Sequence, residues 1–239
     1  MQRPTPMKTI GILGGMSNQA TSEYYRMINE KVNQRLGGWE IGETLIQGVN
    51  FGNIEYYVRN KRWDEAREYI EKKAIDAEKG GADLLICVSN TMHCVLDRME
   101  EILSIPFIHI SDPTGQAINK VGLKKVGILG TKPVMEASYI KNRFKTKFDI
   151  ELLSPNEQDQ VLVDQIIFDE LVKGKISLES KQHYVDISRK LLAQGAQGII
   201  LGCTEIFLLL TPEDLPEAPL FNTTELHVES AIELALKPE

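Results

Sequence analysis

The sequence predicts an α/β fold made twice over, as two similar halves that each hold a parallel sheet between helices. Three observations predict it. Two pairs of segments repeat at nearly the same spacing. Short apolar strands alternate with amphipathic helical stretches, and the strands end in glycines and small polar residues.

The repeat comes first because it decides the architecture. Lys8-Thr-Ile-Gly-Ile-Leu-Gly-Gly15 matches Lys125-Val-Gly-Ile-Leu-Gly-Thr131, so that Gly11 falls on Gly127, an offset of 116 residues. Gly81-Ala-Asp-Leu-Leu-Ile-Cys-Val-Ser-Asn-Thr91 matches Gly195-Ala-Gln-Gly-Ile-Ile-Leu-Gly-Cys-Thr-Glu205, which sets Ser89 on Cys203 at an offset of 114. Two offsets that agree so closely define a duplicated unit of about 115 residues.

In chain order, Met1 to Pro6 carry two prolines and are read as a leader, native or appended. The strand of the first Gly-rich segment precedes a helical stretch over Asn18–Leu36, and a second helical stretch spans Trp63–Lys79. Gly80-Gly81 then supplies the left-handed turn before the strand that ends at Ser89. Pro113 and Gly115 mark the passage into the second half, where helical stretches over 135–148 and 178–194 flank the repeated strands, with Gly195 after the latter. The tail after Pro212 includes a helix over 224–236. The expected domains are 7–116, completed by a C-terminal helix at 223–237, and 117–222.

Composition narrows the function. With 27 basic against 34 acidic residues, net −7, and no basic block, neither a nucleic-acid footprint nor a polybasic membrane patch is expected. The longest apolar runs, 84–88 and 206–210, fall far short of the ~20 residues a span needs, so a soluble, cytoplasmic protein is expected. Cys87, Cys94 and Cys203 cannot all pair, which suits a reducing compartment. Cys87 and Cys94 read as buried small hydrophobes.

Ligands of open parallel sheets sit beyond the carboxyl ends of the strands, so residues 14–17, 89–91, 130–131 and 203–205 are expected to converge. A cysteine there gains acidity where backbone N–H groups face it, because they stabilise the thiolate. The duplication places the Ser89 hydroxyl opposite that thiol, and two protic groups on opposite faces of one carbon are what an inversion requires. Asn90, Thr91, Thr131 and Thr204, with turn N–H groups near Gly15 and Met16, can bind an α-carboxylate and hold its developing enediolate charge. Each such residue alone reads as a helix cap; the repeat favours the site.

The strings Met7-Lys-Thr-Ile-Gly-Ile-Leu-Gly-Gly-Met16, Ser89-Asn-Thr-Met-His93 and Leu201-Gly-Cys-Thr-Glu205 resemble the signatures of the aspartate/glutamate racemase family, in order and from about Met7 to Leu236. The resemblance implies two flavodoxin-like domains related by a pseudo-two-fold axis, with the active site in the cleft between them. It also implies a homodimer, no pyridoxal phosphate or other cofactor, no metal, and a small amino-acid or dicarboxylate substrate. By the same likeness Cys203 is the acid/base of the second domain and Ser89 its counterpart in the first.

Two departures from the family pattern matter. The family reads Cys-Asn-Thr where this chain reads Ser89-Asn90-Thr91, although members selective for one enantiomer carry Thr there. Taking water as proxy for a hydroxyl, the gap to a thiol is roughly 7 pKa units, or about 10 kcal/mol for the anion, so Ser89 is a poor base and catalysis is expected to be one-sided. Relatives also read Asp before Phe51, so Asn50, near Gln47, removes one carboxylate and bears on substrate choice. Gln47, Asn50 and Glu205 complete the expected substrate contacts.

Other readings stay open. Glu205 and His93 either tune a catalytic residue or bind the amino group, or serve only as a helix partner and a packed histidine, and Lys173 reads as a solvated helix-end lysine rather than a carboxylate anchor. A maleate isomerase or arylmalonate decarboxylase would share this framework, and a Cys-to-Ser form, natural or engineered, would bind without racemising. The Gly11 to Gly15 turn lacks dinucleotide spacing.

Overall fold

A computed structural model describes residues 6–238; of the expected leader at Met1 to Pro6, Met1 to Thr5 lie outside the described residues. The described residues divide into two compact units, 6–88 with 95–109 and 227–238, and 89–94 with 110–226.

The first unit contains β1 (Ile10–Gly14), α1 (Asn18–Leu36), β2 (Thr44–Gly48), α2 (Phe51–Arg59), α3 (Trp63–Lys79), β3 (Leu84–Cys87), α4 (Met99–Ile102) and β4 (Phe107–Ile108). The second contains α5 (Ser111–Lys120), β5 (Lys125–Gly130), α6 (Lys132–Glu136), α7 (Ser138–Phe148), β6 (Glu151–Leu153), α8 (Glu157–Asp169), α9 (Leu178–Ala193), β7 (Ile199–Gly202) and β8 (Leu220–Asn222). The last helix, α10 (Thr223–Ala235), begins in the second unit and passes at His227 into the first.

Both sheets are wholly parallel and share one strand order, β2-β1-β3-β4 and β6-β5-β7-β8. The central strands β1, β3 and β7 are buried along their length, as strands covered on both faces must be, and so read as unbroken apolar runs; β5 is buried after its half-buried first residue, Lys125. The repeat appears in the register: Gly11 lies opposite Leu85, and Gly127 opposite Ile199. Each glycine leaves room for its neighbours, since a Cβ on Gly11 would stand 2.8 Å from Ala82 Cβ and one on Gly127 2.8 Å from Ile199 Cδ1. Gly81 and Gly195 have φ of +99° and +96°, the left-handed turns that deliver α3 and α9 into β3 and β7.

The stretch over 135–148 is two helices rather than one. Ala137 is extended (φ −64°, ψ 126°), ending α6 and starting α7. The apolar positions change phase there: Met135 joins the core around Leu129, Tyr184 and Cys203, whereas Ile140, Phe144 and Phe148 pack with Val126 and Ile128. A single helix cannot present both sets at its 3.6-residue period.

The C-terminal helix is tied into the first unit by buried polar contacts. His227 Nε2 donates to the Ile108 carbonyl at 2.8 Å, and Tyr24 Oη donates to His227 Nδ1 at 3.1 Å, a tautomer set by the carbonyl, which can only accept. Glu229 adds ion pairs with Lys31 and Arg35.

Candidate active site

Two short turns follow β3 and β7, and both belong to the second unit. Ser89 stands just past β3, and Cys203 directly past β7. Both are nearly buried, 8 % exposed each.

The turn from Ser89 is held by its own side chains. Ser89 Oγ accepts from the Met92 N–H at 3.3 Å, and His93 Nδ1 donates to the Ser89 carbonyl at 2.7 Å while Nε2 accepts from the Ile110 N–H at 3.2 Å. Carbonyl and N–H together fix the tautomer and occupy both ring nitrogens. His93 is thus the packed histidine of the two readings, a clamp between the turn and Ile110.

Asn90 links this turn to β7. Its Nδ2 donates to Thr223 Oγ1 at 3.1 Å, and Thr223 Oγ1 donates to the Leu201 carbonyl at 2.8 Å, two residues before Cys203. Tyr139 Oη donates to the Asn90 carbonyl at 3.1 Å. Thr91 and Thr131 share a hydrogen bond of 2.8 Å between hydroxyls. Thr131 begins α6 without capping it through its side chain, so its hydroxyl is committed to Thr91 instead.

At the other turn Glu205, 2 % exposed, accepts through one oxygen from Cys203 Sγ at 3.1 Å and from Thr204 Oγ1 at 2.8 Å. Burial pushes the Cys203 thiol well up, and the Glu205 carboxylate adds to the rise. The N–H groups of Glu205 and Thr204 pull the other way and are outweighed. The expected backbone donors are present, but burial and the neighbouring carboxylate outweigh them. Tyr184, in the same core, is also pushed well up by burial and donates to the Val163 carbonyl at 3.1 Å.

These side chains sit on a frame that also places the family signatures in the expected order. The sequence matches the model of the Asp/Glu/Hydantoin racemase family over residues 13–231. The chain belongs to that family. Among solved structures it resembles a candidate Asp/Glu racemase from Yersinia pestis, at 39 % identity and a TM-score of 0.89 over 97 % of this chain and 100 % of that one. An aspartate racemase homologue from Pyrococcus horikoshii OT3 gives 31 % and 0.84 over the same shares. The broad specificity amino-acid racemase RacX of Bacillus subtilis (strain 168) is 24 % identical over 224 residues, 93 % of this chain and 96 % of that protein. The protein is therefore a racemase of this family, whose substrates are small amino acids.

The remaining expected residues of this racemase lie in the first unit. Gly15, φ +92°, approaches the Val49 carbonyl so closely that a Cβ would stand 2.4 Å from it, and its N–H donates to Thr21 Oγ1 at 2.8 Å. Met16 is buried and Gln47 half-buried at the end of β2. Asn50 caps α2, its Oδ1 accepting from the Gly52 N–H at 3.0 Å while its own N–H donates to Tyr69 Oη at 3.1 Å. Lys173 is exposed beside Asp169, a solvated lysine as read. Cys87 is buried, Cys94 half-buried, and none of the three cysteines is in a disulfide. Among the described residues no His/Cys/Asp/Glu group could hold a metal ion, and no helix is long and apolar enough to cross a membrane.

Tyr139 and Thr223 were missed by the sequence reading. Thr223 carried a usable signal, since it follows β8 directly at a carboxyl strand end. Tyr139 carried none, being one aromatic on an amphipathic helix.

Proposed function

We propose that this racemase interconverts the enantiomers of aspartate, glutamate or a similarly small amino acid without a cofactor, with Cys203 as principal base and Ser89 as a weaker opposing donor. The supporting observation is positional equivalence: Ser89 and Cys203 follow β3 and β7, the matching central strands of two sheets with one strand order.

Cys203 as thiolate removes the Cα proton, and charge passes into the α-carboxylate. Asn90 and the one hydroxyl proton that the Thr91–Thr131 pair can still offer are fixed beforehand and stabilise that charge without having to reorganise, whereas Thr204 already donates to Glu205. Ser89 then donates to the far face. A carbanion is basic enough to take a hydroxyl proton, but the alkoxide left behind is costly, so the stroke that begins at Ser89 is the slow one. Substrate therefore turns over faster in the direction that starts at Cys203.

Cys203→Ala is expected to lower Cα hydrogen exchange of the substrate by on the order of 10³-fold. Exchange undiminished in that variant would contradict the assignment. A cytoplasmic homodimer is the proposed working state, checked by sedimentation at two protein concentrations.

A further inference from the structure

Asn90 sits in the turn that carries Ser89, and its side chain reaches strand β7 through one other group. Asn90 Nδ2 donates to Thr223 Oγ1 at 3.1 Å, and Thr223 Oγ1 donates to the Leu201 carbonyl at 2.8 Å. Asn90 and Thr223 are both buried. Resting on the racemase reading above, in which Asn90 stabilises the charge on the α-carboxylate, we propose that Thr223 is a positioning residue that sets which end of the Asn90 amide serves the substrate.

Hydrogen-bond polarity decides the end. A main-chain carbonyl can only accept, so the single hydroxyl proton of Thr223 goes to Leu201. What Thr223 Oγ1 then offers Asn90 is a lone pair, which the amide meets with an N–H and not with its carbonyl oxygen. Turning the amide over would set two acceptors against each other in a buried place. One Nδ2 proton is thereby committed to Thr223, and the other is the one left for the α-carboxylate. The peptide of Asn90 is held separately, by Tyr139 Oη donating to its carbonyl at 3.1 Å. The side-chain torsions are what remain, and Thr223 closes them.

Thr223 is suited to this by its place. Leu201 pairs with Asn222, the last residue of β8, and Thr223 is the next residue and the first of α10. Its hydroxyl therefore meets β7 two residues before Cys203. The donor for the developing charge is thus held relative to the strand that carries the base. A donor fixed beforehand does not reorganise as charge develops, and a misplacement of about 1 Å costs on the order of 10²-fold in rate. Threonine and serine can donate and accept at one oxygen, whereas valine, of nearly the same shape as threonine, can do neither.

The test uses the full chain with Thr223→Val, Thr223→Ala, Thr223→Ser, Asn90→Ala and the double variant Asn90→Ala with Thr223→Val. Cα exchange in D2O is followed over a range of concentrations of L- and D-aspartate and L- and D-glutamate, and urea unfolding confirms that each variant is folded in the assay. Thr223→Val is expected to lower kcat for exchange by about 10- to 100-fold while KM changes less than about threefold, since the lost interaction grows with the charge of the transition state. Thr223→Ser is expected to keep kcat within about threefold of the parent chain, because its hydroxyl repeats the relay. In the Asn90→Ala background, Thr223→Val is expected to add less than about a twofold loss, because no amide is left to orient. Thr223→Ala carries the same expectation as Thr223→Val and replaces it if that variant does not fold. An undiminished kcat in the folded variant overturns the proposal. So does a loss of undiminished size in the Asn90→Ala background, which would make Thr223 a support of the fold alone. Failure of the underlying racemase reading looks different: exchange would survive Cys203→Ala.

Discussion

Ser89 and Cys203 are equivalent in position and unequal in chemistry, and the inequality makes a direct prediction. Ser89→Cys supplies a second thiol, a far stronger acid than the hydroxyl it replaces, so exchange from the slower enantiomer is expected to rise at least about tenfold, measured by proton loss at Cα in D2O. No rise would mean that the hydroxyl is not what limits that stroke. At this scale the sequence was legible in placing polar residues at strand-end turns: Ser89, Asn90, Thr91, Thr131, Cys203 and Glu205 each make a hydrogen bond there, in separate small groups. Roles were less legible than places. Nothing local to Glu205 shows that its carboxylate accepts from the preceding thiol, and nothing near Asn90 shows that its partners are Tyr139 and Thr223, 49 and 133 residues away.

At the scale of elements, close packing explains the repeated glycines. Gly11→Ala would bring a Cβ to 2.8 Å from Ala82 Cβ and 3.0 Å from the Leu84 carbonyl, so it is expected to cost about 1–3 kcal/mol in urea unfolding, and Gly127→Ala a similar amount. A neutral effect at both would show that the sheets give way there. Tyr24→Phe removes the hydroxyl that donates to buried His227 Nδ1 and is expected to cost about 1–3 kcal/mol by the same measurement. The long helices and the four central strands were readable because burial on one or both faces imprints a period. The edge strands were not: β4 has two residues, β6 and β8 three each, and β2 is half-exposed along its length. The break at Ala137 escaped detection for a related reason, because two phases of apolar residues in adjoining helices resemble one helix when only their spacing is counted.

At the scale of the whole molecule, duplication sets each unit's strand order, and electrostatics sets how the fold responds to acid. Burial pushes the Asp112 carboxyl up, but Arg143 and Lys147, which both bond it, outweigh burial and hold it below its ordinary value. A carboxyl lowered on folding contributes stability above its unfolded pKa of ~3.9 and loses it as pH falls through the folded value. Asp112→Asn is accordingly expected to destabilise the protein near neutrality and to shrink the loss of stability below about pH 4, read from urea midpoints across pH. An unchanged pH profile would remove Asp112 from the acid response. The central claim, a one-sided racemase with Cys203 as its base, concerns the reaction itself and is tested most directly by deuterium incorporation at Cα. In D2O, the L and D forms of aspartate and of glutamate are supplied separately and their initial exchange rates compared. The account predicts unequal rates for the enantiomers of the preferred substrate, both lost in Cys203→Ala; equal rates from the two enantiomers would contradict it.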